Sequence, residues 1–141
     1  MADANTIIRE LEAAYHHYIE VFNREDAAGF VGCYCHPHSL LSGEHGMIVT
    51  NTAAEHERGY QRMMVSLRES GWGRSGIDRI QVWPFSESLA QLVADVTRYK
   101  KDDSILEKLR ASYMFRRVDG AWKILAFSLV EAPFSGPGIG R

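Results

Sequence analysis

Residues 33 to 45 read CYCHPHSLLSGEH, placing two cysteines and three histidines within thirteen positions. Thiolate and imidazole are the donors that soft and borderline metals prefer, so a metal site is the first chemistry to weigh. The spacing argues against it. Structural zinc sites present C-x-x-C or H-x-x-x-H pairs twice, and neither pair occurs. Placed at the end of a helix, Cys33 and Cys35 point about 200° apart at roughly 100° per residue. His36 and His38 can chelate together from a strand, but then need a third ligand such as His56 or Glu44. We therefore expect no metal and no cofactor. Two readings of the segment stay open. In one, Cys33 is a small half-buried apolar group, His36 and Pro37 belong to a turn, and His38 is a hydrogen-bonded core histidine. In the other, His38 titrates near neutrality as a pocket base or hydrogen-bond donor.

The elements that must carry these residues follow from periodicity. Ile7, Ile8, Leu11, Tyr15, Tyr18 and Phe22 recur at three- and four-residue steps, which predicts an amphipathic helix over 6–23. Asp26 is placed to cap a shorter helix whose stripe is Ala27, Phe30, Val31 and Tyr34, ended by Pro37. The runs SLLS and MIVT read as strands on either side of a turn at GEHG. Thr52 to Glu55 is a capping box opening a third helix, with Ala53, His56, Tyr60, Met63, Met64 and Leu67 on its apolar stripe. Gly71 stands where a helix C-terminal glycine is expected, and beyond it the period changes to two. Strands are predicted over 77–85, 89–100, 109–118 and 122–130, the last two joined by Asp119-Gly120, a tight hairpin dipeptide. Three helices preceding a strand meander define an α+β domain with the helices on one face of an antiparallel sheet.

A chain of 141 residues with 45% hydrophobic content is expected to be a single domain over 1–141, with its core over about 6–131 and an irregular Gly- and Pro-rich tail over 132–141. No apolar run approaches the about 18 residues of a membrane helix, and MADANTIIRE lacks the features of a signal peptide. The expectation is a cytoplasmic protein with reduced thiols. A net charge of -2 gives no reason to expect nucleic acid or membrane as a partner. Eight basic residues against four acidic ones lie between Arg98 and Lys123, a pattern that suits a solvated sheet edge.

This order of elements, the Y-x-x-x-F-N-x-x-D from Tyr18 to Asp26, and the closing YMFRRVDGAWKI together resemble the nuclear-transport-factor-two-like superfamily, which includes ketosteroid isomerase, scytalone dehydratase and the SnoaL-like cyclases. The resemblance covers roughly residues 6–131. It implies a cone-shaped, cystatin-like roll in which a strongly curved sheet, antiparallel but mixed at the edge, wraps three N-terminal helices around a pocket; many members are homodimers. Members include enzymes and binding modules, so function does not follow from the fold alone. On this match Tyr18 takes the place of the isomerase tyrosine that hydrogen-bonds the developing oxyanion. The isomerase general base is matched by Ser42 and its protonated acid by Met114, neither of which can do that proton transfer, so steroid isomerization is not expected.

The resemblance also turns a face of the first strand, with His38, Leu40 and Ser42, toward the pocket and near Tyr18. Ala90, Leu92, Ala94 and Val96 are then inward, Asp95 outward, and Arg98 at the mouth, free to clamp a carboxylate or to lie on the surface. His56 reaches the pocket or is a satisfied core histidine. The expected catalytic candidates are Tyr18 and His38. The expected ligand-binding set is Tyr15, Ser42, His56, Tyr60, Met64, Arg98, Met114 and Phe127. Tyr113, Phe115, Trp122 and Ile124 are expected on the outward face of the closing hairpin, an apolar patch to be buried in a homodimer. The expected function is binding of a small, mostly apolar organic ligand. The alternatives are a cofactor-free isomerase, dehydratase or cyclase, and a non-catalytic dimeric association module.

Overall fold

Asp3 starts the first helix by accepting a hydrogen bond from the Thr6 amide at 2.8 Å, and α1 runs Ala4–Asn23. This computed structural model describes residues 3–131 together with Phe134, Gly136 and Pro137; the expected irregular tail over 132–141 lies largely outside the described residues. The predicted stripe of α1 is its buried face, with Leu11 and Tyr15 fully enclosed. At the other end of the helix the Asn23 side chain imitates a strand partner. Its Nδ2 donates to the Ser75 carbonyl at 2.9 Å and its Oδ1 accepts from the Ser75 amide at 2.8 Å. Asp26 caps α2 (Ala27–Gly32) as expected. Thr52 and Glu55 close both halves of the capping box that opens α3 (Ala53–Glu69).

The strands are β1 (Tyr34–Ser42), β2 (Gly46–Thr50), β3 (Trp72–Pro84), β4 (Leu89–Lys100), β5 (Ile105–Val118) and β6 (Ala121–Val130). They form one six-stranded curved sheet in the order β2-β1-β6-β5-β4-β3; β1 and β6 are parallel and every other pair is antiparallel. The helices pack on one face, so the α+β class holds. In the β5–β6 turn Asp119 and Gly120 both have positive φ, 51° and 80°, which is what the two-residue hairpin requires.

The structure corrects the sequence reading in three places. β3 begins at Trp72 and β5 at Ile105, earlier than predicted, because Gly73 and Gly76 in one and charged residues in the other blur the alternation. CYCHPH is not a helix end: α2 stops at Gly32, Cys33 is its C-cap, and β1 is under way at Tyr34. The helical stripe ending at Tyr34 was coincidental spacing, and the angular argument separating Cys33 from Cys35 does not apply.

The third correction concerns the closing hairpin. Tyr113, Phe115, Trp122 and Ile124 point inward, between 0% and 9% exposed, as part of the cluster that includes Leu11, Tyr15 and Tyr18. A period of two fixes which residues share a face but not which face meets the helices. These four therefore offer no surface to a second copy. Among the described residues, no helix is long and apolar enough to cross a membrane.

Candidate functional site

The site is made where β1 departs from regularity. Tyr34 pairs with Ile124 and Ser39 with Ala126, so β1 advances through Cys35–His38 while β6 barely moves. Within this bulge the Cys35 carbonyl turns back to His38 Nδ1, 2.9 Å away. A carbonyl only accepts, so Nδ1 carries the proton, and in the neutral ring Nε2 keeps its lone pair. The capped first turn of α3 brings His56 alongside. His56 Nδ1 and His36 Nε2 are 2.9 Å apart, and the His38 and His56 rings stand 4.4 Å centre to centre. One ring nitrogen from each of His36, His38 and His56 lies within 4.8 Å of the others.

The surroundings keep all three rings uncharged. Burial pushes His56 down to about 4, helped by the repulsion it would feel from charged His38 and His36. His38 is lowered chiefly by burial, against the opposing pull of the Cys35 carbonyl, and His36 by burial. At neutral pH the cluster is three imidazoles with lone pairs to offer.

Beside it opens a pocket of about 410 Å³ between the three helices and the inner face of the sheet. Its walls are rings and aliphatic chains, among them Phe30, Tyr34, Leu109 and Phe127, with His38, His56 and Arg98 as its strongest polar groups. Deeper in, phenols pair with one another: Tyr18 with Tyr34 at 2.7 Å and Tyr15 with Tyr113 at 3.1 Å. Burial raises Tyr15, Tyr18 and Tyr34 well above the ordinary phenol range, so each remains a neutral donor. Tyr60 is raised to about 12, again mainly by burial, and its hydroxyl is buried without a hydrogen-bond partner among the described residues.

Of the residues singled out from sequence, Tyr18, His38, His56, Tyr60, Arg98 and Phe127 line this one pocket. Four do not. Tyr15 is fully buried behind it, and Met64 turns into the core while its neighbour Met63 faces the pocket. Ser42 ends β1 in the following turn, where its hydroxyl accepts from the Glu44 and His45 amides at 3.2 Å each. Met114 alternates with the buried Tyr113 and Phe115 and so points out of the opposite face. Arg98 is paired with Glu107 at 3.2 Å, and Asp95 with Arg110 on the outer face. Tyr34 and Leu109 escaped the sequence reading as pocket residues, whereas His36 was weighed there with His38 and His56 as a chelating set, the grouping that the structure brings together. Strand alternation begun at Tyr34 would have grouped Tyr34, His36 and His38.

A two-layer fold with helices on a curved sheet and an aromatic pocket between them defines a cystatin-like α+β protein. The chain belongs to the family described as NTF2-like protein (DUF6841), whose model matches residues 9–132. Solved structures agree on the fold. One is an NTF2-like protein of unknown function from Pseudomonas putida KT2440, at 14% identity and TM-score 0.73 over 96% of this chain and 93% of that one. Another is a protein of unknown function with a cystatin-like fold from Nostoc punctiforme PCC 73102, at 12% identity and TM-score 0.72 over 93% and 95%. A third is an NTF2-like protein of unknown function from Shewanella oneidensis MR-1, at 16% identity and TM-score 0.68 over 87% and 98%. No curated protein matches the sequence.

Proposed function

We propose that this protein binds a small organic molecule, mostly apolar with one oxygen-bearing edge. The observation that supports it is the pocket of about 410 Å³, within the size range of small-molecule sites. Aromatic and aliphatic walls give the apolar part its burial, while His38, His56 and Arg98 meet the oxygen. The test is methyl NMR during titration with aromatic carboxylic acids and ketones, beside a Leu109→Trp variant that fills the cavity. Saturable shifts at Leu40, Ile48, Met63 and Leu109, lost in Leu109→Trp, support the reading. Shifts elsewhere, or binding indifferent to the substitution, refute it.

A second reading has one observation in its favour. With Nδ1 fixed on the Cys35 carbonyl, His38 has a basic Nε2 at the pocket wall, suited to removing a proton from a carbon acid without a cofactor. Tyr18 is a weaker partner for it, because its hydroxyl is engaged with Tyr34. Exchange of a bound ketone's α-protons with solvent deuterium, abolished by His38→Gln with ligand affinity retained, would distinguish enzyme from binder.

A further inference from the structure

We propose that His36, His38 and His56 form a binding site for one divalent transition-metal ion of the zinc class, with its remaining coordination position toward the pocket. The proposal stands on the histidine geometry and does not depend on the organic ligand above. Imidazole nitrogens bound to zinc at about 2.0–2.1 Å stand about 2.9–3.4 Å from one another for coordination angles between about 90° and 109°. His36 Nε2 and His56 Nδ1 are already 2.9 Å apart, and no separation within the set exceeds 4.8 Å. Side-chain rotation of about 1.5 Å completes the set at that zinc–nitrogen spacing.

Two further features suit a metal site. The His38 Nδ1–H donates to a backbone carbonyl, the outer-sphere bond that fixes the tautomer and ring orientation of a metal-ligating imidazole. The three rings also come from two firmly held pieces, a strand bulge and the capped start of a helix, so little order remains to be imposed on binding. A core histidine needs one partner for each polar nitrogen; here three rings share a single hydrogen bond among themselves.

The donor set also limits the ion and what it takes next. Three neutral nitrogens with no thiolate or carboxylate suit zinc, copper, nickel or iron and disfavour calcium and magnesium. Cys33 is not a competing ligand, because its thiol donates to the Gly29 carbonyl at 3.3 Å. Neutral ligands leave the full dication charge, so the next ligand is an anion or an ionisable oxygen. Because His38 and His56 both line the pocket, that oxygen approaches from the pocket side. Three protein ligands with an open position are the pattern of reactive rather than structural zinc.

The experiment is zinc titration of the purified, chelator-stripped chain, read by calorimetry and by imidazole nitrogen NMR. The expected result is one Zn²⁺ per chain, with the resonances of His36, His38 and His56 shifting together and those of exposed His16, His17 and His45 unmoved. His36→Ala and His56→Ala should each weaken binding by more than the roughly 10–100-fold that loss of an outer-sphere partner costs, while His17→Ala leaves it unchanged. Circular dichroism shows whether each variant is folded; if one is not, the NMR result on the unmutated chain decides. No zinc uptake by folded protein, shifts confined to the exposed histidines, or uptake indifferent to the alanine substitutions each overturns the site.

Discussion

Strand β4 keeps its antiparallel register with β5 without a break from Leu89 to Arg98, and its inward residues Ala90, Leu92, Ala94 and Val96 are at most 4% exposed. Strand β1, three places away in the same sheet, loses register with β6 between Tyr34 and Ser39, pairs in parallel with it, and carries imidazoles where β4 carries methyl groups. The difference is one of task. In β4 every second side chain from Ala90 to Val96 meets the helices, and the ladder with β5 stays regular there because nothing but packing is asked of it, although the ladder with β3 shifts between Ile77 and Arg79. In β1 alternation puts Tyr34, His36 and His38 on the helix side, and the bulge against β6 lets the Cys35 carbonyl turn back and fix the His38 ring. The half of the sheet built on the β4–β5 ladder, regular in that ladder, holds the fold and β1 holds the chemistry, so perturbing each should change different observables.

The largest effect should come from the regular half. Phe115 on β5 is 2% exposed and packs near Tyr113 in the core. Phe115→Ala should cost about 3–5 kcal/mol in chemical denaturation, the usual price of an emptied aromatic site. Had the hairpin faced outward as expected from sequence, the same substitution would cost less than about 1 kcal/mol in a monomer, as surface changes do, and in a dimer its cost would vary with protein concentration. A small effect would thus reverse the orientation of β5 and β6 and restore the dimer patch.

The next effect belongs to β1 and its helix, and it depends on pH. In the metal-free protein His56 is held down to about 4, while in the unfolded chain it titrates near 6.5. Below about 6.5 the unfolded state binds a proton that the folded state refuses, so stability falls with falling pH. The loss is complete by about pH 4 and amounts to at most about 3.5 kcal/mol at roughly 1.4 kcal/mol per unit, less where solvent screens the ring. The groups facing His56 are His36, His38 and Tyr34 from β1 and Phe30 from α2, none of them an anion able to offset the charge. Denaturation curves of wild type and His56→Gln between these pH values check this: the slope should become clearly shallower in the variant, with the remainder due to the burial of His38 and His36. A slope carried equally by the variant would move the pH sensitivity elsewhere.

The same contrast explains what the sequence could reveal. The stripes of α1 and α3, their caps, the inward set of β4 and the Asp119-Gly120 turn were legible because local period, local cap and tertiary contact all agree there. At CYCHPH they conflict. Tyr34 falls at helical spacing from Phe30 and Val31 and Pro37 reads as a helix stop, and together they mask the strand alternation of Tyr34, His36 and His38. His56 was recognisable as a stripe residue, yet its meeting with His36 depends on the parallel β1–β6 pairing, a long-range contact with no local signature. Six of the ten chosen side chains share the pocket: Tyr18, His56, Tyr60 and Arg98 because the faces of α1, α3 and β4 were correctly read, His38 because the resemblance turned its face of β1 inward, and Phe127 as an apolar wall on β6. Ser42 and Met114 came from matching to a relative's reactive positions, and here those positions have been given to a turn and to the outer sheet face.

A smaller effect tests how the two halves are joined. Asn23 satisfies both backbone groups of Ser75 and so ties the end of α1 to β3. Asn23→Ala leaves that buried amide and carbonyl unpaired and should cost about 1–3 kcal/mol. The pH dependence assigned to His56 should be unchanged, because the bond lies outside the histidine cluster. A change in the pH profile as large as that in the midpoint would mean that the regular half and the histidine site do not behave separately.

The smallest effect is also the most local. Thr52 Oγ1 accepts from the Glu55 amide at 3.2 Å, and the Glu55 carboxylate accepts from the Thr52 amide at 3.3 Å, fixing the turn that presents His56. Thr52→Ala should lower stability by about 1 kcal/mol, the ordinary value of an exposed cap. Its distinguishing consequence lies in where the protection is lost. Amide hydrogen exchange should quicken in the first turn of α3, around His56, while the amides of β4 and β5 keep their protection, because fraying there does not open the sheet. Since His56 is held by that turn, pairing with His36 should loosen with it, so the variant's imidazole resonances should report a weaker His36–His56 contact with the core otherwise unchanged. Uniform loss of protection across β4 and α3 would instead make the capped turn part of the global folding unit, and the division between scaffold and site would not hold at this helix.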